Sequence, residues 1–379
     1  MLKRPGAMPS AVVTVVCLVP LFAAASARGD TKTEAAAVSL FTKGRAVLPV
    51  TDAGNMTEYL EALAGRVGTE ATQSYLTREG RQTPPPAPAG KAARPAFEWL
   101  AEAIDSKPVS FEVDSQGRWC FFLHGDLARL SSYAASGGVI CKIDSFPRSA
   151  ARDRIWTLTR LIFDRGLAKE VVATQMEMEV LEAVNSDGKR FPAKGPGGKN
   201  APPMKASAHW VANQQTIWLE KADFPGDRIA RLRVRGQVAI RTGVTTFTIG
   251  TLGHDKPVTL TQSGVTVTLS PLQTPDGPGK GTWGLPVEVR TEYATPRGMS
   301  SHGESIVFLA SDGKRLGRTS WSGRHGEGRH QMTIRIKAHT IDPSSTRMVM
   351  EYPTGLRILP FELTFQAVPI RDIQPRPNR

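Results

Sequence analysis

Five histidine and glutamate residues near the end of the chain have the chemistry to bind a metal ion. They are His302, Glu304, His325, Glu327 and His330. Imidazole and carboxylate groups are suitable ligands for Zn²⁺ and other borderline divalent ions. The spacing matches no known ligand motif, and Gly-rich polar loops are commonly just solvated. The sequence therefore leaves a divalent-metal site and a solvated loop region both open.

The expected strand order brings these residues to one end of a β-sandwich. A strand that ends near Tyr293 leads into the loop with His302. The chain then returns along 305–310, turns, and comes back along 314–321 into a loop with His325. This order predicts that both loops lie at the same end of the sandwich.

A second candidate site is a row of arginines, Arg231, Arg233 and Arg235. Alternate residues of a strand share a face, so these guanidinium groups are expected about 6.7 Å apart. They could hold an anionic polymer by bidentate contacts. The simpler interpretation is cross-strand ion pairing with Glu177 and Glu179, which also alternate on a predicted strand.

The cysteines and the remaining sequence motifs do not indicate a catalytic reaction. Cys120 and Cys141 would form a disulfide worth about 3 kcal/mol if they paired in an oxidising compartment. They could equally be buried free thiols, because cysteine packs as a small hydrophobe. The sequence has no Gly-x-Ser-x-Gly nucleophile motif and no phosphate-binding loop. We therefore predict no catalytic residue, and no cofactor apart from the possible divalent metal.

The N-terminus has the pattern of a secretory signal peptide. Lys3 and Arg4 precede an apolar run over 11–25, and Ala25-Ser26-Ala27 resembles a cleavage site. Removal of 1–27 would lower the formal charge from +13 to +11, because the segment holds two cations and no acid. Retention as an uncleaved anchor remains the alternative, and we expect no membrane span after cleavage.

We expect a small α+β module over 28–135. Residues 28–50 look irregular, and 77–95 form a Pro-rich loop. Asn55 and Glu58 are spaced like a capping box at the start of a helix. A second helix is expected after Pro95, followed by strands over 109–113 and 119–123.

A duplicated pentapeptide organises the remainder. Ser-Asp-Gly-Lys-Arg occurs at 186–190 and at 311–315, each copy between β-rich runs, which predicts a hairpin with a two-residue primed turn. Gly138–Ile143 matches Gly264–Leu269 at nearly the same offset, which indicates a duplicated domain. We predict β-sandwich 1 over 136–253 and β-sandwich 2 over 254–379. Each is expected to close on its own β-rich run, 244–249 and 359–368 respectively.

The predicted fold is mainly β: a small N-terminal α+β module followed by two tandem Ig-like (Greek-key) β-sandwich domains. The pattern resembles a family of uncharacterised exported bacterial proteins with a helix–strand module and two similar β-sandwich halves. The segments that carry the resemblance are Ala96–Ile104, Arg228–Arg233 and Gly264–Leu269. The resemblance implies an envelope-associated protein and supplies no catalytic residue.

These observations favour an exported, non-enzymatic binding or structural protein of the cell envelope, periplasmic or extracellular. Its expected partner is an envelope protein or an anionic polymer, and no specific nucleic acid. The first alternative is a metal-binding protein or metal-dependent hydrolase that uses the histidine loops. The second is polyanion binding through the arginine row.

Overall fold

The structure, a computed structural model, describes most of the chain after the predicted signal segment. The described residues are 30–74, 92–105, 107, 109–114, 116–123, 131–148, 154–175, 177–191, 210–211, 214–220, 226–273, 281–292, 305–316, 320–326 and 328–372. Residues 1–27, and 77–91 of the Pro-rich loop, lie outside them. Strands dominate, so the predicted mainly-β fold is confirmed. No helix in these ranges is long and apolar enough to cross a bilayer.

The first part of the chain is a small module of helices and short strands. Its elements are α1 (Asp30–Lys43), β1 (Ala46–Val47), α2 (Met56–Arg66), β2 (Ala71–Ser74), β3 (Arg94–Pro95), α3 (Ala96–Ile104), β4 (Val109–Val113) and β5 (Trp119–Leu123). Helix α2 begins where the capping box predicts: Oδ1 of Asn55 accepts from the Glu58 N–H at 3.0 Å, and Glu58 accepts from Nδ2 of Asn55 at 2.8 Å. Both polar ends of the cap are therefore satisfied.

Helix α1 corrects the expectation that residues 28–50 are irregular. The helix is stabilised by contacts remote in sequence, since Ala37 and Phe41 are buried in the core of the next unit. The ring of Phe41 meets that of Phe361 edge-on, with the centroids 6.0 Å apart. Local sequence does not show such a partner, because it lies more than 300 residues away.

The module core packs α2 and α3 against the sheet β2–β5–β4. The rings of Phe97, Phe111 and Trp119 contact one another at centroid distances from 5.6 to 6.2 Å. Ile140 and Ile162 of the following unit belong to the same core. The module therefore docks on the neighbouring sheet through apolar contacts.

The next stretch builds a first β unit. Its elements are β6 (Ser132–Ser136), β7 (Val139–Ile143), β8 (Phe146–Arg148), β9 (Arg154–Phe163), α4 (Arg165–Ala168), β10 (Val171–Gln175), β11 (Glu177–Asn185), β12 (Arg190–Phe191), β13 (Trp210–Val211), β14 (Gln214–Glu220) and β15 (Arg228–Ile249). One layer has the order β6–β7–β9–β14. The other is formed on β15, which pairs with β10 and β11. The first core lies between these layers.

A second β unit follows. Its strands are β16 (Val258–Gln262), β17 (Val265–Leu269), β18 (Thr282–Thr291), β19 (Ser305–Leu309), β20 (Ser320–Gly326), β21 (Arg329–Lys337) and β22 (Arg347–Asp372). One layer is the five-stranded sheet β16–β17–β18–β21–β20. Its apolar face packs on Phe308 of β19 and on the adjoining halves of β15 and β22 to form another core.

Strands β15 and β22 pair antiparallel along almost their whole length and connect the two units. The ladder runs from Arg228 opposite Pro369 to Ile249 opposite Met348. On β15, Leu232 and Val234 lie in the first core, whereas Phe247 lies in the core of the second unit. The register shifts between 241 and 244, where one extra residue on each strand keeps the apolar side chains inward.

The two final strands are therefore exchanged between the units. The run 244–249 was expected to close the first sandwich, but Phe247 and Ile249 pack in the second core. The run 359–368 was expected to close the second, but Phe361 and Phe365 pack in the first. Each long strand begins in its own half and ends in the other.

Strand pairing repeats between the halves. The order β6–β7–β9–β14 corresponds to β16–β17–β18–β21, and the pair β11–β15 corresponds to β19–β22. The hairpins β6–β7 and β16–β17, which begin these layers, both have two-residue turns. In the second hairpin, Ser263 and Gly264 each have a positive φ. The internal match seen in the sequence thus has a counterpart in topology.

The Asp-Gly turns differ from the predicted primed type. In the first copy the Asn185 N–H donates to O of Lys189 and the Gly188 N–H donates to O of Asn185. The loop therefore has three residues, and Gly188 alone takes positive φ, at 76°. The second copy repeats this geometry, with Gly313 at 82°. A type I turn followed by a left-handed glycine explains both.

Candidate functional site

The arginine row lies on the exposed outer face of β15, as predicted. Arg231 contacts Glu182 at 3.0 Å, and Arg235 contacts Glu362 at 2.7 Å. Arg233 reaches the second oxygen of Glu362 at 3.3 Å. Every arginine of the row thus has a carboxylate within 4 Å.

The carboxylates come from both neighbouring strands, β11 and β22. Glu179 faces Arg235 in register and lies 3.7 Å from it, as the ion-pair interpretation requires. Glu177 instead pairs with Thr216 on the other layer, so its predicted place opposite the arginines is wrong. Glu362 is the partner that the sequence could not indicate, since β22 joins β15 only through the strand exchange.

Ion pairing shifts the titration of this row. The hydrogen bond from Arg231 lowers the pKa of Glu182, and the one from Arg235 lowers the pKa of Glu362. The same bond raises the pKa of Arg235. Glu182 and Glu362 therefore carry their negative charge beside the arginines at neutral pH, and the fields of the paired groups largely cancel.

The predicted metal cluster lies mostly outside the described residues, where His302, Glu304 and Glu327 fall. His325 is in strand β20 and not in a loop, which corrects the predicted strand over 314–321. It stands directly opposite His330 of β21, next to the hairpin end. His330 is buried, with 3% of its surface exposed. Among the described residues no group of three or more potential ligands converges.

The outer face of the five-stranded sheet carries a charged cluster that the sequence analysis missed. Glu288 on β18 accepts from Arg329 at 2.8 Å, from Gln331 at 3.0 Å and from its strand neighbour Arg290 at 2.5 Å. These three bonds lower the pKa of Glu288 to about 2. The alternating spacing of 288 and 290, and of 329 and 331, was a visible signal, but the pairing of β18 with β21 was not.

Basic residues continue along β21 on this face. Arg335 and Lys337 are exposed and follow Arg329 at alternate positions of the strand. Within the described ranges, no carboxylate lies within 4 Å of either cation. Together with Arg290, the described side chains of β18 and β21 give this face four cations against two carboxylates, Glu288 and the strand-end Glu292.

Threonine hydroxyls occupy the other side of the same face. Thr259 pairs with Thr268 at 3.1 Å between oxygens, and Thr261 pairs with Thr266 at 3.0 Å. Both pairs bridge β16 and β17. The sheet therefore presents these hydroxyl groups on the same face as the cations, with β18 lying between β17 and β21.

The two cysteines are free thiols, which is the second of the two alternatives that the sequence left open. Cys141 lies in the first core, where burial raises the pKa of its thiol to about 12. Cys120 lies on β5 in the module sheet and accepts from the Thr72 hydroxyl at 3.1 Å. The strand alternation that buries Cys141 also turns it away from the module.

Two of the tryptophans form a packing pair across strands β9 and β14. Trp156 and Trp218 stand opposite each other in register, with ring centroids 5.9 Å apart and planes tilted by 39°. Leu158 beside them is 51% exposed. This is a cross-strand packing pair of the kind that stabilises sheets.

No known protein family and no curated protein matches the sequence. Among solved structures, the chain is similar to a conserved domain protein from Bacillus anthracis at 11% identity. The alignment covers 61% of this chain and 76% of that one, with a TM-score of 0.13. A TM-score so low carries no argument about fold or function.

Proposed function

We propose that this chain is an exported protein of the cell envelope that works by binding, without chemical turnover. The observation that carries the proposal is the outer face of the five-stranded sheet. It is exposed, built on paired strands, and has more cations than carboxylates. A rigid face with one predominant sign of charge suits steering and holding an anionic partner.

Two features of the sequence support the envelope location. The pattern of 1–27 favours export, and the formal charge of the remainder, +11, favours association with anionic envelope polymers. The resemblance to exported bacterial proteins with a helix–strand module and two similar β-sandwich halves is consistent with this placement.

The test uses the chain from residue 28 onward and isolated envelope fractions. We expect saturable co-sedimentation that weakens as salt is raised, because exposed charges are screened beyond about 10 Å at 0.1 M salt. Absence of binding would contradict the proposal. So would hydrolysis of an envelope substrate that is lost in a folded His325→Ala variant.

A metal-binding role is the second candidate, and the pairing of His325 with His330 favours it. Directly opposed residues of antiparallel strands have Cα atoms about 4.5–5.5 Å apart, close enough to place two ligand-bearing positions side by side. Elemental analysis of untagged protein tests this role. About one metal per chain, lost in His325→Ala, would support it, whereas none, with a melting temperature indifferent to Zn²⁺ and chelator, would exclude it.

Polyanion binding through Arg231, Arg233 and Arg235 is the weaker form of the binding proposal. Each guanidinium already has a carboxylate partner. An incoming anion would have to displace Glu182 or Glu362, whose negative charge also repels it.

A further inference from the structure

We propose that the outer face of the five-stranded sheet binds an acidic polysaccharide, which lies along β21 across Arg329, Arg335 and Lys337. This inference rests on the proposed function and adds to it the ligand class and the residues. It begins from a contrast between two exposed faces of the same molecule.

The contrast is in charge compensation. On the face of β15 each arginine is neutralised locally by Glu182, Glu179 or Glu362. On the five-stranded sheet, Arg335 and Lys337 have no carboxylate within 4 Å among the described residues. Their charge is therefore available to an external anion, and a shared anion would also relieve their mutual repulsion.

The spacing suits an extended chain of anionic groups. Arg329, Arg335 and Lys337 lie on one face of one strand, because they are separated by even numbers of residues. These three cations of β21 span eight residue steps, or about 27 Å at about 3.4 Å per residue. A linear polymer can contact all of this span, whereas a single small anion can contact only one part.

The ion pairs around Glu288 hold Arg329, the first of the three β21 cations, in place. With its pKa near 2, Glu288 stays ionised and holds both Arg290 and Arg329. Glu288 is shared by two guanidinium groups, so these three ion-paired side chains together keep one net positive charge. Guanidinium groups held in place lose less side-chain entropy when they bind an anion than freely moving ones.

Hydroxyl groups on the same face of the sheet, two and three strands from β21, favour a saccharide. Thr259, Thr261, Thr266 and Thr268 form two cross-strand pairs, and a hydroxyl can both donate and accept hydrogen bonds. Sugar hydroxyls require both. Binding of single-stranded nucleic acid usually uses aromatic stacking, and none of the described outer-face side chains of β16, β17, β18 and β21 is aromatic.

The experiment compares two charge-reversed variants of the chain from residue 28. One is Arg335→Glu with Lys337→Glu; the control is Arg231→Glu with Arg233→Glu, which changes the net charge equally on the compensated face. Both pairs of positions are exposed, so circular dichroism and melting should show folded protein. The probes are polygalacturonate, dextran sulfate, neutral dextran and poly(dT), at 50 and 200 mM NaCl.

We expect binding to the carboxylated or sulfated polymer, none to neutral dextran, and about tenfold weaker affinity in the Arg335/Lys337 variant at low salt. Whether the carboxylated or the sulfated polymer binds more tightly then identifies the anionic group. The control variant should lose less than about threefold, because surface ion pairs there already neutralise the charge.

Equal losses in both variants, or tighter binding of poly(dT), would overturn the inference. Failure to bind either acidic polymer would do so too. Envelope co-sedimentation decides the proposed function separately: binding to envelope that is unchanged in the Arg335/Lys337 variant would leave the function standing and remove only this site.

Discussion

Glu288 shows how one residue can set the electrostatics of a surface. Arg329, Gln331 and Arg290 donate to its carboxylate, which keeps it ionised far into acid. Its pKa of about 2 lies below the ordinary value of 4.5. The stabilisation from these bonds is therefore fully present above about pH 4.5 and is lost as the pH falls through about 2.

Glu288→Gln should lower the free energy of unfolding by about 1 kcal/mol at pH 7, since exposed ion pairs are worth about that much at most. The difference from the wild type should shrink as the pH falls from 5 to 2. Urea unfolding at several pH values measures this. The control is Glu351→Gln on β22, and a difference that does not change with pH would contradict the assignment.

Cys120 and Cys141 should behave as two thiols of unlike access. Burial and a pKa near 12 protect Cys141, whereas Cys120 is only half-buried. In protein starting at residue 28, iodoacetamide at pH 8 should modify Cys120 in the folded state and Cys141 only in denaturant. A mass about 2 Da low with no labelling in denaturant would instead show the disulfide.

At the scale of elements, the duplicated Asp-Gly turns show which residue of the shared pentapeptide constrains the backbone. Gly188 and Gly313 both take positive φ in three-residue loops, and neither has a heavy atom near an added Cβ. Replacing either glycine is therefore expected to lower stability through backbone strain and not through a steric clash with a neighbouring residue.

Gly188→Ala should lower the free energy of unfolding by about 1 kcal/mol because an L-residue with a Cβ disfavours left-handed φ. Gly188→Asn should cost less, since asparagine tolerates that region. Gly250→Ala is the matched control: it has equal open space and no positive φ. If Gly188→Ala and Gly250→Ala have equal chemical-denaturation midpoints, the φ argument is wrong.

At the scale of the whole molecule, the ribbon of β15 and β22 makes the two β units depend on each other. The first core takes Leu359, Phe361, Leu363 and Phe365 from the end of the chain, and the second takes Phe247 and Ile249 from the middle. A cut between 253 and 254 therefore removes buried side chains from the first core. Apolar burial is the dominant favourable term in folding, so the loss is large.

A fragment of residues 136–253 should not fold cooperatively, whereas the chain from residue 28 should. Phe365→Ala in the full chain should cost about 3–5 kcal/mol, the usual range for a buried phenylalanine. Thermal unfolding followed by near-UV circular dichroism tests both. A sharp transition in the isolated fragment would show that the exchanged strand is dispensable.

Local signals were sufficient for much of the fold. The capping pair Asn55 and Glu58 located α2, and Pro95 followed by apolar spacing located α3. Val139, Cys141 and Ile143 alternate with other residues along β7, and all three are buried. These predictions succeeded because caps, turns and alternation depend on neighbours within a few residues.

The sequence by itself determined the mainly-β class, the internal duplication and the arginine row on one strand face. Tertiary structure alone decided which strands share a core, that Glu362 neutralises the row, and that Arg335 and Lys337 have no neutralising partner among the described residues. The physical reason is that strand pairing joins residues far apart in the sequence, such as Arg235 and Glu362, which are 127 positions apart. Which carboxylate faces which cation therefore follows from register, and register is set only when the apolar faces are buried together.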